Sequence, residues 1–332
     1  MKILIIGGTG IISSAVAAGC LAAGHEVSFL NRGSKPAPAG VHQITADMDN
    51  EQLAAEKLAG EQFDTVCEFI GFTPAQAERD IRLFSGRTRQ FIYTSSASAY
   101  QKPVHRYPIT EETPLVNPYW EYSRNKAASE AVYRRAFEEK AFPVTVVRPS
   151  HTYNETRVPV SMHGKNGPWQ VIKRILDHKP VIIPGDGTSL WTATYAADFA
   201  AGYCGLIGNE KAVGEAYHIT SDEVLTWNEI YAAAAAALDR ELKAVHIPSE
   251  ILAADGAVSG YDFGGQLLGD KANSVIFDNT RIRTLVPSFR CKTGMHEGIA
   301  AAARYMASHP EVQKADPAFD AWCDAEILKY RQ

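Results

Sequence analysis

Short, uninterrupted apolar runs recur along the first half of the chain, each followed by a stretch with helical spacing. Ile3–Ile6 is apolar throughout and bounded by glycines, as expected of a strand buried on both faces of a sheet. Small apolar residues from Ile12 to Ala23 then read as a helix stopped by Gly24. Further strands are predicted at Glu26–Leu30, Val41–Thr45, Thr65–Ile70, Gln90–Thr94 and Val144–Val147, with helices at Glu51–Leu58 and Pro74–Leu83 between them. Asn117-Pro118 offers an N-cap and a first-turn proline for a long helix through Tyr122, Lys126, Ala131, Tyr133 and Phe137. Six strands alternating with helices predict an α/β fold with a doubly wound parallel sheet of Rossmann type.

After Pro149 the pattern loosens. A helix is predicted near Gln170–Leu176, another at Tyr195–Ile207, and a strand at Ala216–Ile219. The alanine run Ala232–Ala237 reads as a helix interior, and the rest, including the glycine-rich Asp255–Lys271, reads as irregular. The chain is expected to divide into a dinucleotide-binding domain, 1–157 plus 194–220, and a smaller α/β substrate-binding domain, 158–193 plus 221–332, laid over the carboxyl edge of the sheet.

Composition narrows the partners. The 332 residues are 45% hydrophobic and 21% charged, enough to bury a sizeable core. A net charge of −5 with no basic patch argues against a nucleic-acid partner. No apolar run reaches the ~20 residues of a membrane span, and Gly7 follows Lys2 too closely for a signal peptide. The five cysteines lack metal spacing and read as structural thiols of a reducing compartment, so a cytoplasmic location without metal is expected.

Chemistry enters at the first turn. Gly7-Gly8-Thr9-Gly10 lies between strand and helix, where glycines admit a pyrophosphate and the helix N-terminus supplies N–H donors. Gly7, Thr9, Gly10, Ile11 and Ile12 are therefore candidate cofactor residues, with Ser13 at the third glycine position of the fingerprint. The second strand ends in Asn31-Arg32, with Ser34 and Lys35 behind, rather than in the acid that accepts ribose hydroxyls in many such folds. Asn31 removes the repulsion an acid would exert on a 2′-phosphate and Arg32 can fork onto that phosphate, which tips the choice toward NADP; with Arg32 merely stacked on adenine, Asn31 would be left to hold NAD. Asp47 and Met48 would flank the adenine, and Thr94 ends the fifth strand.

Tyr122 and Lys126 stand four apart on one helix face, and Ser96 follows the fifth strand in "FIYTSSASAY". A Tyr-x-x-x-Lys pair alone is weak, since chance gives about 0.6 in a chain of this composition. The setting strengthens it. An ammonium ~4 Å from the phenol at an effective dielectric of ~20 contributes at most ~4 kcal/mol, enough to bring a phenolate near neutral pH. Tyr122 would then exchange a proton with a substrate oxygen while Ser96 fixes that oxygen and Lys126 holds the nicotinamide ribose.

Carried by "GGTGIIS", "YTSSASAY", "YSRNK", "VVRPSHTY" and "PGDGTSLWTATYAADFA", the sequence resembles the extended short-chain dehydrogenase/reductase superfamily, in its NAD-dependent epimerase/dehydratase branch. "FDNTRIRTLVPSF" is similar to that family's C-terminal region, and the "NRG" ending resembles a divergent subgroup that includes chloroplast stem-loop-binding proteins. The resemblance implies a catalytic triad of Ser96, Tyr122 and Lys126, with Pro149 and Ser150 lining the nicotinamide pocket and a homodimer formed through the helices near Pro74–Leu83 and Pro118–Lys140. It implies a small, sugar-like substrate and an epimerase, dehydratase or dehydrogenase/reductase. Where sugar-nucleotide members carry an arginine that grips a diphosphate, this chain has Trp191, which admits a nucleotide-free substrate. Ser98, Tyr100, His151, His163, Trp169 and Trp191 are the candidate substrate residues. The alternative is a non-catalytic dinucleotide-binding regulator, redox-sensing or RNA-binding, against which stand the intact triad and the acidic charge.

Overall fold

The computed structural model describes residues 1–330. Seven strands form one parallel sheet: β1 (Lys2–Ile6), β2 (Glu26–Asn31), β3 (Val41–Thr45), β4 (Phe63–Glu68), β5 (Thr88–Thr94), β6 (Val144–Pro149) and, later in the chain, Ala216–Ile219. In space they run 3-2-1-4-5-6 with Ala216–Ile219 outermost beside β6, so the winding direction reverses between β1 and β4. Helices α1 (Ile11–Ala22), α2 (Glu51–Lys57), α3 (Pro74–Phe84) and α4 (Glu121–Lys140) follow the first strands, with Ala196–Cys204 packed beside α1. One apolar cluster joins Val16, Phe29, Phe199 and Tyr203, and a second joins Phe84, Phe91, Tyr133 and Phe142. Both faces of β1 are covered, which is why Ile3 to Ile6 are apolar without alternation. Tyr133 belongs to this chain's own core, its hydroxyl donating to Asp80, while Phe137 is partly exposed.

Two sequence expectations are corrected. Asn117 does not cap α4, which begins at Glu121. Its amide nitrogen donates to the carbonyls of Ser98 and Gly269, at 2.8 and 2.6 Å, so the side chain ties distant segments together instead of starting a helix. The region beyond residue 220 is not irregular. It holds helices Trp227–Ala237, Ser249–Val258, Thr280–Leu285, Met295–Ser308 and Pro317–Tyr330, and a π-helical turn, Gly264–Lys271. Its glycines are packing positions rather than breaks: a Cβ on Gly256 would lie 2.5 Å from the Phe263 ring. These helices enclose a third apolar cluster around Trp191, Trp227, Phe263 and Trp322.

Candidate active site

The turn after β1 is braced from three sides. Gly7 has a φ of +79°, and a Cβ there would meet Ile70 at 2.4 Å. The hydroxyl of Ser13 donates to the Gly7 carbonyl and accepts the N–H of Gly10, at 2.7 and 2.9 Å. Serine at the third glycine position therefore serves as a clip on the turn. Asn31, at the end of β2, accepts the Gly8 N–H at 3.0 Å through its side-chain oxygen. Its amide nitrogen is buried and has no partner among the described residues, a donor left available beside the turn.

These groups open onto a cleft of about 860 Å³ along the carboxyl ends of β1, β2, β4 and β5. Gly7, Thr9, Gly10, Ile11, Ile12, Asn31, Arg32, Asp47, Met48, Thr94, Lys126 and Pro149 all line it, as do Ser13, Ser34 and Lys35. Ser150 does not; its hydroxyl donates to the Thr192 carbonyl and it lines a second, smaller cavity. Ile70, Phe72, Gln76, Arg79 and Arg157 also line the cleft and were not legible as site residues, since they sit in no motif. The residues present fit a dinucleotide: a glycine turn at a helix N-terminus, an unpaired amide, and two basic residues where β2 ends.

The smaller cavity, about 200 Å³, is lined by Ser96, Ala97, Ser98, Trp120, Tyr122, Pro149, Ser150, His151, Trp191, Asp270, Val275 and Phe277. Tyr122 and Pro149 belong to both walls and mark where the two spaces join. Ser96 and Ser98 share a hydrogen bond of 2.9 Å, and Ser123, one residue after Tyr122, donates to Ser98 at 2.8 Å. The Tyr122 ring lies between Trp120 and Phe72, with centroids 4.8 and 6.3 Å away. Phe72 is exposed although large and apolar, so it forms part of the rim rather than the core.

Three candidate substrate residues lie elsewhere. Tyr100 is fully buried, its hydroxyl bonded to His218 and Arg148 at 3.0 and 3.1 Å. His163 pairs with Arg157 and the Gly164 carbonyl, and burial pushes it down to about 4. Trp169 opens the helix Trp169–Leu176 with its ring in the third apolar cluster. Aromatic and imidazole side chains in sequence do not announce which way they face. In the smaller cavity sequence reasoning also missed Ala97, Trp120, Asp270, Val275 and Phe277, which no motif singled out as site residues.

The electrostatics also correct an expectation. The Lys126 ammonium does not make the Tyr122 phenol acidic. It donates to the carbonyls of Gly71 and Thr94 at 2.6 and 2.8 Å and stays 5.8 Å from the Tyr122 ring centre. Burial holds the Tyr122 phenol above its ordinary value; the bond to Ser96 pulls it down, and the Asp270 carboxylate pushes it up. Tyr122 is thus a protonated donor at neutral pH. Lys126 itself is lowered to about 8 by burial, against the opposing fields of Glu68 and Glu130. As pH rises through about 8 the ammonium loses its proton, and with it one donor and one charge. The value of kcat/KM for the dinucleotide, which reports the free protein, should therefore fall on an alkaline limb with a midpoint near 8, a limb that Lys126→Arg should abolish. A profile flat to pH 10 would contradict this.

Among the described residues no helix is long and apolar enough to cross a membrane, and no three or more His, Cys, Asp or Glu side chains are grouped to hold a metal ion. Residues 3–220 match the family model described as NAD dependent epimerase/dehydratase family. The chain is 28% identical to the 2'-dehydrokanamycin reductase of Streptomyces kanamyceticus, over 75% of this chain and 70% of that protein. It is 27% identical to the chloroplast stem-loop binding protein of 41 kDa b of Arabidopsis thaliana, over 71% of this chain and 63% of that one. In fold it is similar to an epimerase of Methanothermobacter thermautotrophicus, with a TM-score of 0.77 at 15% identity and 94% of each chain covered. The UDP-glucose 4-epimerase of Thermus thermophilus, solved with NAD, gives 0.71 at 19% identity over 93% of this chain and all of the other.

Proposed function

The chain belongs to the NAD-dependent epimerase/dehydratase family, and on that premise we propose that it moves a hydride between a nicotinamide dinucleotide and a secondary alcohol or ketone of a sugar or sugar derivative. The observation that carries this reading is the position of Tyr122, which lines both the large cleft and the small cavity beside it. When bound, the dinucleotide supplies or accepts the hydride.

The protein's own residues handle the proton. Tyr122, held protonated by burial, donates from its hydroxyl to the substrate oxygen as that oxygen gains charge. Ser96 hydrogen-bonds the same oxygen, its own hydroxyl oriented by Ser98 and, through it, Ser123. Lys126 fixes the loop after β4 to the end of β5 through its two carbonyl bonds, and keeps a positive charge under the site. Trp120 and Phe72 shield the phenol from water on either side. A phenol that begins protonated favours the reductive direction, and the Streptomyces relative is named as a reductase.

Arg32, Ser34 and Lys35 line the cleft where β2 ends, and β2 itself ends in Asn31 rather than in an acid, which supports NADP over NAD. Titration of the protein with NADPH and NADH, followed by nicotinamide fluorescence, is expected to give tighter binding of NADPH. Arg32→Ala should weaken NADPH roughly 10-fold or more and NADH far less, in line with the ~1.5–3 kcal/mol of a charge-assisted bond. Equal losses would defeat the NADP preference.

A further inference from the structure

The small cavity has a floor of two indoles and one carboxylate that reaches it. Trp191 is buried, stacked on Trp227 with centroids 5.0 Å apart, and Trp120 lies against the Tyr122 ring. The carboxylate is Asp270, delivered by the π-helical turn Gly264–Lys271. Such turns interrupt regular helices and recur at functional sites. This one is seated on Trp120 by its glycines: a Cβ on Gly265 would lie 2.2 Å from the indole Cδ1, and one on Gly269 2.7 Å from the Trp120 Cβ. Asn117 adds a bond to the Gly269 carbonyl, and the Trp120 indole N–H donates to Asp262 at 3.0 Å. The turn that carries Asp270 is thereby pinned to the residues just before Tyr122.

The charges around Asp270 decide what it can recognise. Lys271 stands 3.5 Å from Oδ2, its ammonium 5.8 Å from the ring centres of both Trp120 and Trp191. Lys102 is buried, its Nζ without a partner among the described residues, and feels the fields of Asp270 and Lys271. His151, in the cavity wall, is held neutral by burial. The Lys271 ammonium therefore already compensates the carboxylate, while its Oδ1 accepts no hydrogen bond from the described residues. A compensated carboxylate with a free oxygen is suited to a neutral donor rather than a cation.

We propose that Asp270 is a specificity-determining residue that accepts a hydrogen bond from a substrate hydroxyl on the carbon next to the one that reacts, so that the substrate class is a monosaccharide-sized vicinal polyol or hydroxyketone. The proposal rests on the oxidoreductase reading above only in naming one carbon as reactive. A cavity of about 200 Å³ is below the ~300–1,000 Å³ of sites for drug-sized ligands, and suits one sugar ring. Asp270 and Tyr122 line the same small cavity, which puts the carboxylate and the phenol within reach of one small ligand.

The test uses trans-1,2-cyclohexanediol, cyclohexanol and trans-2-aminocyclohexanol as probes, because the diol carries a vicinal hydroxyl whichever carbon reacts. Binding is read from quenching of tryptophan fluorescence, which needs no turnover, and oxidation from NADPH or NADH formation. The wild-type protein is expected to bind the diol at least tenfold more tightly than cyclohexanol and at least as tightly as the amino alcohol. Asp270→Ala should reduce the diol preference to about one while leaving dinucleotide affinity unchanged, and Asp270→Asn, which keeps the shape and one acceptor, should retain part of it. Equal binding of diol and cyclohexanol, no quenching by any probe, an unchanged preference in Asp270→Ala, or tighter binding of the amino alcohol would each overturn the proposal. Diol-selective quenching without hydride transfer from any probe to either oxidised dinucleotide would sink the oxidoreductase reading and leave this one standing.

Discussion

Replacing Tyr122 by phenylalanine is expected to lower kcat/KM about 10²- to 10⁴-fold, the usual range for loss of a positioned proton donor. The variant should fold normally, because the ring contacts with Trp120 and Phe72 survive and only the hydroxyl, with its bond to Ser96, is removed. Dinucleotide affinity should change little, since the glycine turn, Asn31 and Arg32 are untouched. A loss confined to KM for the dinucleotide would place Tyr122 in binding rather than in proton transfer. The measurement is a steady-state comparison of purified wild-type and variant proteins, with circular dichroism as the control for folding.

The largest effect on stability is expected behind the site, at Arg148. Its guanidinium forks onto Glu130, with Nη2 2.6 Å from Oε2 and Nε 3.0 Å from Oε1, and also donates to the Tyr100 hydroxyl and the Glu111 carbonyl. Both side chains of the pair are only 7% exposed. Glu130 in turn accepts the hydroxyl of Ser95, so the pair braces the end of β5 against α4, from which Ser96 and Tyr122 project. Arg148→Met leaves a buried carboxylate without its cation and should cost about 3–5 kcal/mol in urea unfolding. Adding Glu130→Gln to it should recover part of that loss, because the uncompensated charge is then gone. A single-variant loss below 1 kcal/mol would show that the pair is not the strut described.

Much of the sheet could be read directly because strands covered on both faces must be apolar at every position, and Ile3–Ile6 obeys that constraint without exception. The glycine turn was legible for a related reason: the chain has few ways to pass Ile70 and reach a helix N-terminus, and Gly7 meets them. Local signals failed where tertiary contacts compete for the same groups. Asn117-Pro118 has the composition of a helix start, yet the Asn117 amide is consumed by Ser98 and Gly269. Gly265 and Gly269 look like breaks in sequence and are contact points against Trp120 in space. The Tyr122–Lys126 spacing did place both residues on one helix face, but the acidity of the phenol could not follow from spacing. It depends on burial and on where the ammonium finds its acceptors, which Gly71 and Thr94 supply. Asp270 has no sequence signature because its role comes from a turn seated on a residue 150 positions earlier in the chain.

Hydride transfer can be followed directly. Wild-type protein and Tyr122→Phe would be incubated with NADPH or NADH carrying two deuterium atoms on the reactive ring carbon and with a panel of keto sugars, and the sugars then analysed by mass spectrometry. The account predicts deuterium on the carbon that becomes a secondary alcohol with the wild-type protein, and at least a hundredfold less with the variant. Label transfer by the variant at the wild-type rate, or none from the wild type to any keto sugar with either dinucleotide, would contradict it.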